Sequence, residues 1–216
     1  MQNEPADFHA GELARIALSI GAIKLNPENP FTWASGYRMP VYNDNRLLLG
    51  NAEHRLLVAR GLRAVLTREN IPVDVVAGTA TAGIPPATSL ANLLRAPLIY
   101  VRPKPKQHGM QNQIEGILKS NQNTVVVEDL ISTGGSALEA VAAVRRAGAR
   151  VEHCLCIFNY GFAEAAEAFE KAHCRLHSLL TFPELLQYAE NKKIMSSGQI
   201  ALLRDWYQNP FDWGKR

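Results

Sequence analysis

Neither GxxxxGK[ST] nor GxGxxG occurs in this sequence, which excludes a Walker phosphate loop and a dinucleotide-binding turn. Apolar runs stop far short of the roughly 20 residues needed to cross a bilayer, and no signal-peptide pattern opens the chain. A soluble, cytoplasmic protein with no membrane partner is therefore expected. The net charge is only +3, and Lys and Arg are spread out rather than gathered with aromatics. Nucleic acid is accordingly not an expected partner, and small anionic ligands fit better. Cysteine is scarce: Cys154, Cys156 and Cys174 are an odd number, which argues against a disulfide framework and for a reducing compartment. His153, His173 and His177 lie near them, but the CxC lacks a well-spaced second half. Alternation in "RVEHCLCIF" instead puts Cys154 and Cys156 on one face of a buried strand, as core thiols rather than zinc ligands. No repeat, low-complexity tract or linker divides the 216 residues, and 47% apolar content can fill one core. One domain over 1–216 is expected.

What is present is a regular alternation. Phe8, Leu13, Ile16, Ala17 and Ile20 recur at helical spacing, as do Leu57, Val58, Leu62, Val65 and Leu66. Strands are then expected at 73–78, 97–102, 124–129, 150–158 and 175–180, with helices at 85–94, 136–147 and 163–172. This order predicts an α/β fold with a mostly parallel central sheet flanked by helices. The tail, about 183–216, carries two helical patterns and an exposed-looking "NPFDWGKR".

In such sheets ligands bind beyond the carboxyl ends of the strands, and three unusual loops fall there. The first is "EDLISTGGS" (128–136). Gly134 and Gly135 permit a turn that aims N–H groups at one point, hydroxyls at 132, 133 and 136 add donors, and a helix N-terminus follows. That is a cup for a monophosphate, yet Glu128 and Asp129 would repel one. A ligand with a ribose diol near a 5'-phosphate satisfies both halves, because carboxylates accept hydrogen bonds from vicinal hydroxyls. A bare acid pair before such a turn also reads as a helix cap. The second loop, "GTATAG" (78–83), has two glycines with four residues between them and Ile84-Pro85 where Lys-Ser would complete a P-loop; alone it reads as a tight strand-to-helix turn. The third, "RPKPKQHGMQNQIEG" (102–116), carries Arg102, Lys104, Lys106 and His108 and exceeds the usual connection length. It reads either as a solvated charged loop or as a lid whose cations neutralise a leaving anion.

The full string "VVVEDLISTGGSA" closely resembles the phosphoribosyl pyrophosphate (PRPP) signature of the type I phosphoribosyltransferases. "GTATAGIPPA" resembles that family's pyrophosphate loop, and "YVRPKPKQHGMQNQIEG" and "FTWASGYRMPVYNDNR" (31–46) are similar to the lid and amino-terminal substrate segment of its orotate-using members. The resemblance implies a small amino-terminal hood, about 1–50, on the α/β domain. It implies transfer of the phosphoribosyl group of PRPP to orotate, giving orotidine 5'-monophosphate and pyrophosphate in pyrimidine biosynthesis. It places Arg102, Lys106 and His108 on pyrophosphate, and Glu128, Asp129, Leu130, Ile131, Ser132, Thr133, Gly134, Gly135 and Ser136 on the ribose 5-phosphate. Ser132 falls near orotate, and Arg102, Lys106, His108 and Asp129 are the expected catalytic residues. Mg²⁺ on the substrate oxygens is the implied cofactor, with no dedicated protein metal site, and a homodimer with shared active sites is the implied assembly. Ala34 and Pro103 stand where many members carry lysine, with Lys104 one residue beyond the second. Two other readings remain: transfer to a purine or another base, or a non-catalytic PRPP-sensing regulator.

Overall fold

The computed structural model describes residues 6–33, 36–104 and 113–213. Helix α1 (Ala6–Ser19) leads into short strands β1 (Ile23–Leu25), β2 (Phe31–Thr32), β3 (Arg38–Met39) and β4 (Val41–Asn43), then a 3-10 turn (Asn45–Gly50) and α2 (Ala52–Arg68). The alternating part is β5 (Val75–Thr79), α3 (Ile84–Leu94), β6 (Leu98–Val101), β7 (Ile114–Glu115), β8 (Asn123–Ile131), α4 (Gly135–Arg146), β9 (Arg150–Asn159), α5 (Ala163–Lys171) and β10 (Arg175–Thr181). Helices α6 (Phe182–Asn191) and α7 (Ser197–Gln208) close the chain. None of the described helices is long and apolar enough to cross a membrane.

The central sheet has the order β10-β9-β8-β5-β6-β7, parallel throughout except for the antiparallel pair β6–β7. Every residue of β5 is buried, as is Thr124–Glu128 of β8, because helices cover both faces. Leu62 of α2 and Leu90 of α3 belong to the core on one face, with Leu155 and Leu180 of the sheet. Val141 and Val144 of α4 join Cys154, Cys156 and Cys174 on the other. All three cysteines are buried free thiols, Cys154 and Cys156 within β9 as the alternation predicts; among the described residues no group of three or more His, Cys, Asp or Glu could hold a metal.

Chain order reverses between the neighbours β5 and β8. From β5 the chain crosses through α3 to β6 on one side, and from β8 through α4 to β9 on the other. The loops leaving these two strands therefore diverge over opposite faces and open a crevice at the carboxyl edge, the place where doubly wound sheets bind ligands. Strand β8 runs two residues further than the sequence suggests, since Leu130 and Ile131 pair with Phe158 and Asn159. The two acids consequently lie within the strand rather than at its end. β7 was not anticipated; it pairs Tyr100 with Glu115 and Val101 with Ile114, closing the base of the lid segment.

Candidate active site

Two helices begin at this crevice without a side-chain cap: α4 after Gly134 and α3 after Gly83. Of the other helices, α2 is capped by Asn51 and α6 and α7 by full capping boxes at Thr181 and Ser196, while α5 also starts without a side-chain cap, after Phe162. At α4 the uncapped start leaves first-turn N–H groups without intrahelical acceptors and adds the positive end of the helix dipole, so an anion is the natural complement. At α3 Pro85 and Pro86 carry no N–H and the Ile84 N–H donates to the Thr81 carbonyl at 3.3 Å, so that end offers the dipole alone. Gly134 has φ +84°, a left-handed conformation that turns the chain from β8 into α4. A Cβ on Gly135 would meet nothing within 4 Å, so the space above the first turn is open. Thr133, Gly135 and Ser136 are exposed and Ser132 half-buried around it.

The β5–α3 loop is packed instead. A Cβ on Gly83 would fall 2.5 Å from the Val127 carbonyl oxygen, and one on Gly78 would fall 2.9 Å from the Ile84 Cα. The Ala80–Thr81 peptide is cis. Thr79, at the end of β5, is buried with its Oγ1 unpartnered.

The two acids differ sharply. Glu128 is only 5% exposed; its Oε1 accepts the Asp129 N–H at 3.0 Å and its Oε2 accepts the Ser136 hydroxyl at 3.4 Å. Burial pushes its carboxyl up to about 8, reinforced by the adjacent Asp129 charge. Burial also raises Asp129, and the Arg46 guanidinium works against that rise. Asp129 faces the crevice half-buried, while Glu128 lies beneath it and braces the turn. Ser136, read in the sequence as an anion donor, is engaged with Glu128.

Asn45 belongs to the 31–46 segment, yet the sequence assigns it no role of its own. It is 4% exposed and donates from Nδ2 to the Asp129 carbonyl at 2.7 Å, across 84 residues. Its neighbours Asp44 and Arg46 form an ion pair at 2.6 Å. A pocket lined by Arg46, Arg55, Ala82, Pro85 and Ser89 opens against Asp129. The amino-terminal segment thus touches the backbone of the acid pair, a contact that no local pattern could signal. Arg102 sits at the lid base, 3.5 Å from Glu115, and its carbonyl accepts from Gln113 Nε2 at 2.9 Å. Lys106 and His108 lie outside the described residues, as does Ala34.

A crevice with two uncapped helix ends, a half-buried acid and a cationic loop suits a phosphorylated sugar. Comparison with known proteins agrees. Residues 49–178 match the family model described as the phosphoribosyl transferase domain. The chain is 46% identical over 204 residues to an orotate phosphoribosyltransferase of Listeria innocua, covering 94% of this chain and 98% of the relative. It is 45% identical over 205 residues to that of Lactiplantibacillus plantarum, covering 95% and 97%. Among solved structures, the orotate phosphoribosyltransferase of Aeropyrum pernix superposes with a TM-score of 0.73 at 32% identity, over 85% of this chain and 99% of that one. The Mycobacterium tuberculosis enzyme, solved in complex with PRPP, gives 0.64 at 27% identity, over 82% and 98%. With the site at the topological switch point and matches spanning nearly the whole length, the chain belongs to the phosphoribosyltransferase family, among its orotate phosphoribosyltransferases.

Proposed function

We propose that the chain transfers the 5-phosphoribosyl group of PRPP to orotate, with the phosphate on the open first turn of α4 and the ribose hydroxyls on Asp129. The observation that carries this placement is the uncapped helix start with open space above Gly135, a few residues beyond a half-buried carboxylate. The anomeric C–O bond breaks and its electron pair leaves on the diphosphate. Orotate N1, its proton lost, forms the new bond to the same carbon. The ribose becomes oxocarbenium-like on the way, so catalysis rests on positioning and on neutralising the departing charge. The β5–α3 loop and the cations Arg102, Lys106 and His108 serve the diphosphate, and Ser132 lies on the orotate side. Glu128 holds the turn in shape through the Asp129 N–H and Ser136.

Mg²⁺ would fit here with most of its hard oxygen ligands drawn from substrate and water and with Asp129 as the available carboxylate, since Glu128 is buried and both its oxygens are engaged. When bound it supplies charge neutralisation to the diphosphate and ribose oxygens.

The reading includes a cytoplasmic homodimer whose lids reach into the neighbouring sites. Exposed Leu47 and Leu49 on the 3-10 turn beside the crevice support an apolar contact there. Co-refolding inactive Lys106→Ala and Asp129→Ala homodimers would return about a quarter of wild-type sites if sites are shared, and none if each is built in one chain. The function itself is tested by the fall in orotate absorbance on adding PRPP and Mg²⁺, with adenine, hypoxanthine and uracil as competing acceptors. No consumption of orotate sinks the reading. Preference for another base would point to the purine alternative, and PRPP binding without turnover to the regulator.

A further inference from the structure

The C-terminal tail has no part in the chemistry described above, yet it is joined to the amino-terminal segment by contacts that span most of the chain. Trp206 of α7 is fully buried, and its Nε1–H points at Met39 Sδ at 3.2 Å, 167 residues away in sequence. Met39 is the β3 partner of Phe31 in β2. Beyond α7, the Phe211 ring packs edge-on against Tyr37 with centroids 5.4 Å apart, and against Phe162 at 5.3 Å. Tyr207 donates its hydroxyl hydrogen to the Gly161 carbonyl at 2.8 Å. The sequence suggested that the segment around Phe211 is exposed; instead Phe211 and Trp213 pack on the core, and Trp213 Nε1–H reaches Asp205 at 3.1 Å.

The hairpin and the turn held in this way lead back to the site. Trp33, just after β2, packs on Tyr160 with ring centroids 5.2 Å apart and donates from Nε1 to the Val41 carbonyl at 2.9 Å. Tyr160 donates its backbone N–H to Ile131 at 3.0 Å, one residue before Ser132. The β2–β3 ladder has two residues on each strand and, among the described residues, no further strand beside it. A two-stranded ribbon of that size does not hold its place unaided, so its position is set by what packs against it.

We propose that the segment Trp206–Trp213 is a positioning element for the orotate side of the site. It grips the β2–β3 hairpin through Tyr37 and Met39 and the 160–162 turn through Gly161 and Phe162, and so fixes the wall beside Ser132. This rests on the placement of orotate given under the proposed function. The hydrogen bonds and ring contacts of Trp206, Tyr207, Phe211 and Trp213 described above run to the amino-terminal hairpin, the 160–162 turn and α7 itself, so the PRPP half should be indifferent to them.

The test uses the full chain with Phe211→Ala, and with Phe211→Leu as a milder second variant that keeps apolar bulk. Hydrogen exchange reads the hairpin directly. Amides of β2 and β3 should exchange about tenfold faster in Phe211→Ala while β5 and β8 keep their protection, as expected when one local unit is loosened. Steady-state kinetics reads the consequence. The orotate KM should rise about fivefold with the PRPP KM within about twofold, and Phe211→Leu should recover most of the loss. Equal rises in both KM values, or hairpin exchange unchanged in both variants, would overturn the proposal. If Phe211→Ala does not fold, the same two readouts on Phe211→Leu decide, with smaller shifts in the same directions. A parent protein that leaves orotate unconsumed defeats the functional reading instead, and exchange at β2–β3 still judges whether the tail holds the hairpin.

Discussion

The β5–α3 loop and the β8–α4 loop lie side by side, both rich in glycine, both opening a helix without a cap, and their glycines answer to different physics. At Gly83 the folded chain itself excludes a side chain, with the Val127 carbonyl oxygen 2.5 Å from where a Cβ would sit. At Gly135 the folded chain excludes nothing. The first glycine lets a loop lie against the sheet. The second leaves room that the protein alone does not use, which is what close approach of a ligand requires.

That contrast is most directly broken at Gly83. Gly83→Ala forces backbone apart at the centre of the sheet and should cost about 3 kcal/mol or more, read as the urea midpoint. An unchanged midpoint would mean that the loop relaxes and that the two glycines are alike. The acid beside the open loop should show the opposite pattern. Asp129→Asn is nearly isosteric and should leave the melting temperature in place while kcat/KM falls by about 2 kcal/mol, roughly thirtyfold, the scale of a lost charged hydrogen bond. A drop in stability with activity kept would make Asp129 a structural residue.

Gly135→Ala sharpens the comparison at the same kind of residue. Stability should hold or rise by up to about 1 kcal/mol, because alanine is the better helix former, while PRPP affinity weakens about tenfold from the intruding methyl. Equal PRPP affinity would leave that space without a function. The smallest effect concerns Glu128 beneath the loop. Its carboxyl is raised to about 8 in the folded state from an ordinary value of 4.5. The contribution of Glu128 to stability is thus fullest below about 4.5 and is lost as pH rises through about 8, because its carboxyl in the folded state holds a proton that the unfolded state releases. Between pH 6 and 7 the parent should lose up to about 1 kcal/mol that Glu128→Gln does not, measured by paired denaturant titrations. Parallel slopes would show that Glu128 is already ionised.

Much of this was legible beforehand. "VDVVAG" and "TVVVED" are apolar enough to announce strands buried on both faces, and the β5 and β8 that result cover most of those residues. The loops that follow them fell where such sheets bind ligands. The limits have a common form. Asn45 on Asp129, Arg102 on Glu115 and Trp206 on Met39 join residues 84, 13 and 167 positions apart. Periodicity reports on neighbours within a turn or a pleat, so it cannot show such pairs. The acid pair illustrates the same limit at closer range. Side by side in sequence, Glu128 and Asp129 looked equivalent, but alternation along β8 sends one under the turn and leaves the other at the crevice.

The sequence by itself determined the alternation of strands and helices, the parallel sheet, the buried thiols and the three loops, because these follow from local patterns of burial and from the chemistry of short motifs. Only the tertiary structure decided which acid faces the crevice, which glycine is obligatory, and that the carboxyl-terminal tail packs on the amino-terminal hairpin. Those outcomes depend on the distance between atoms remote in sequence, and that distance exists only once the sheet has assembled and the helices have packed on it.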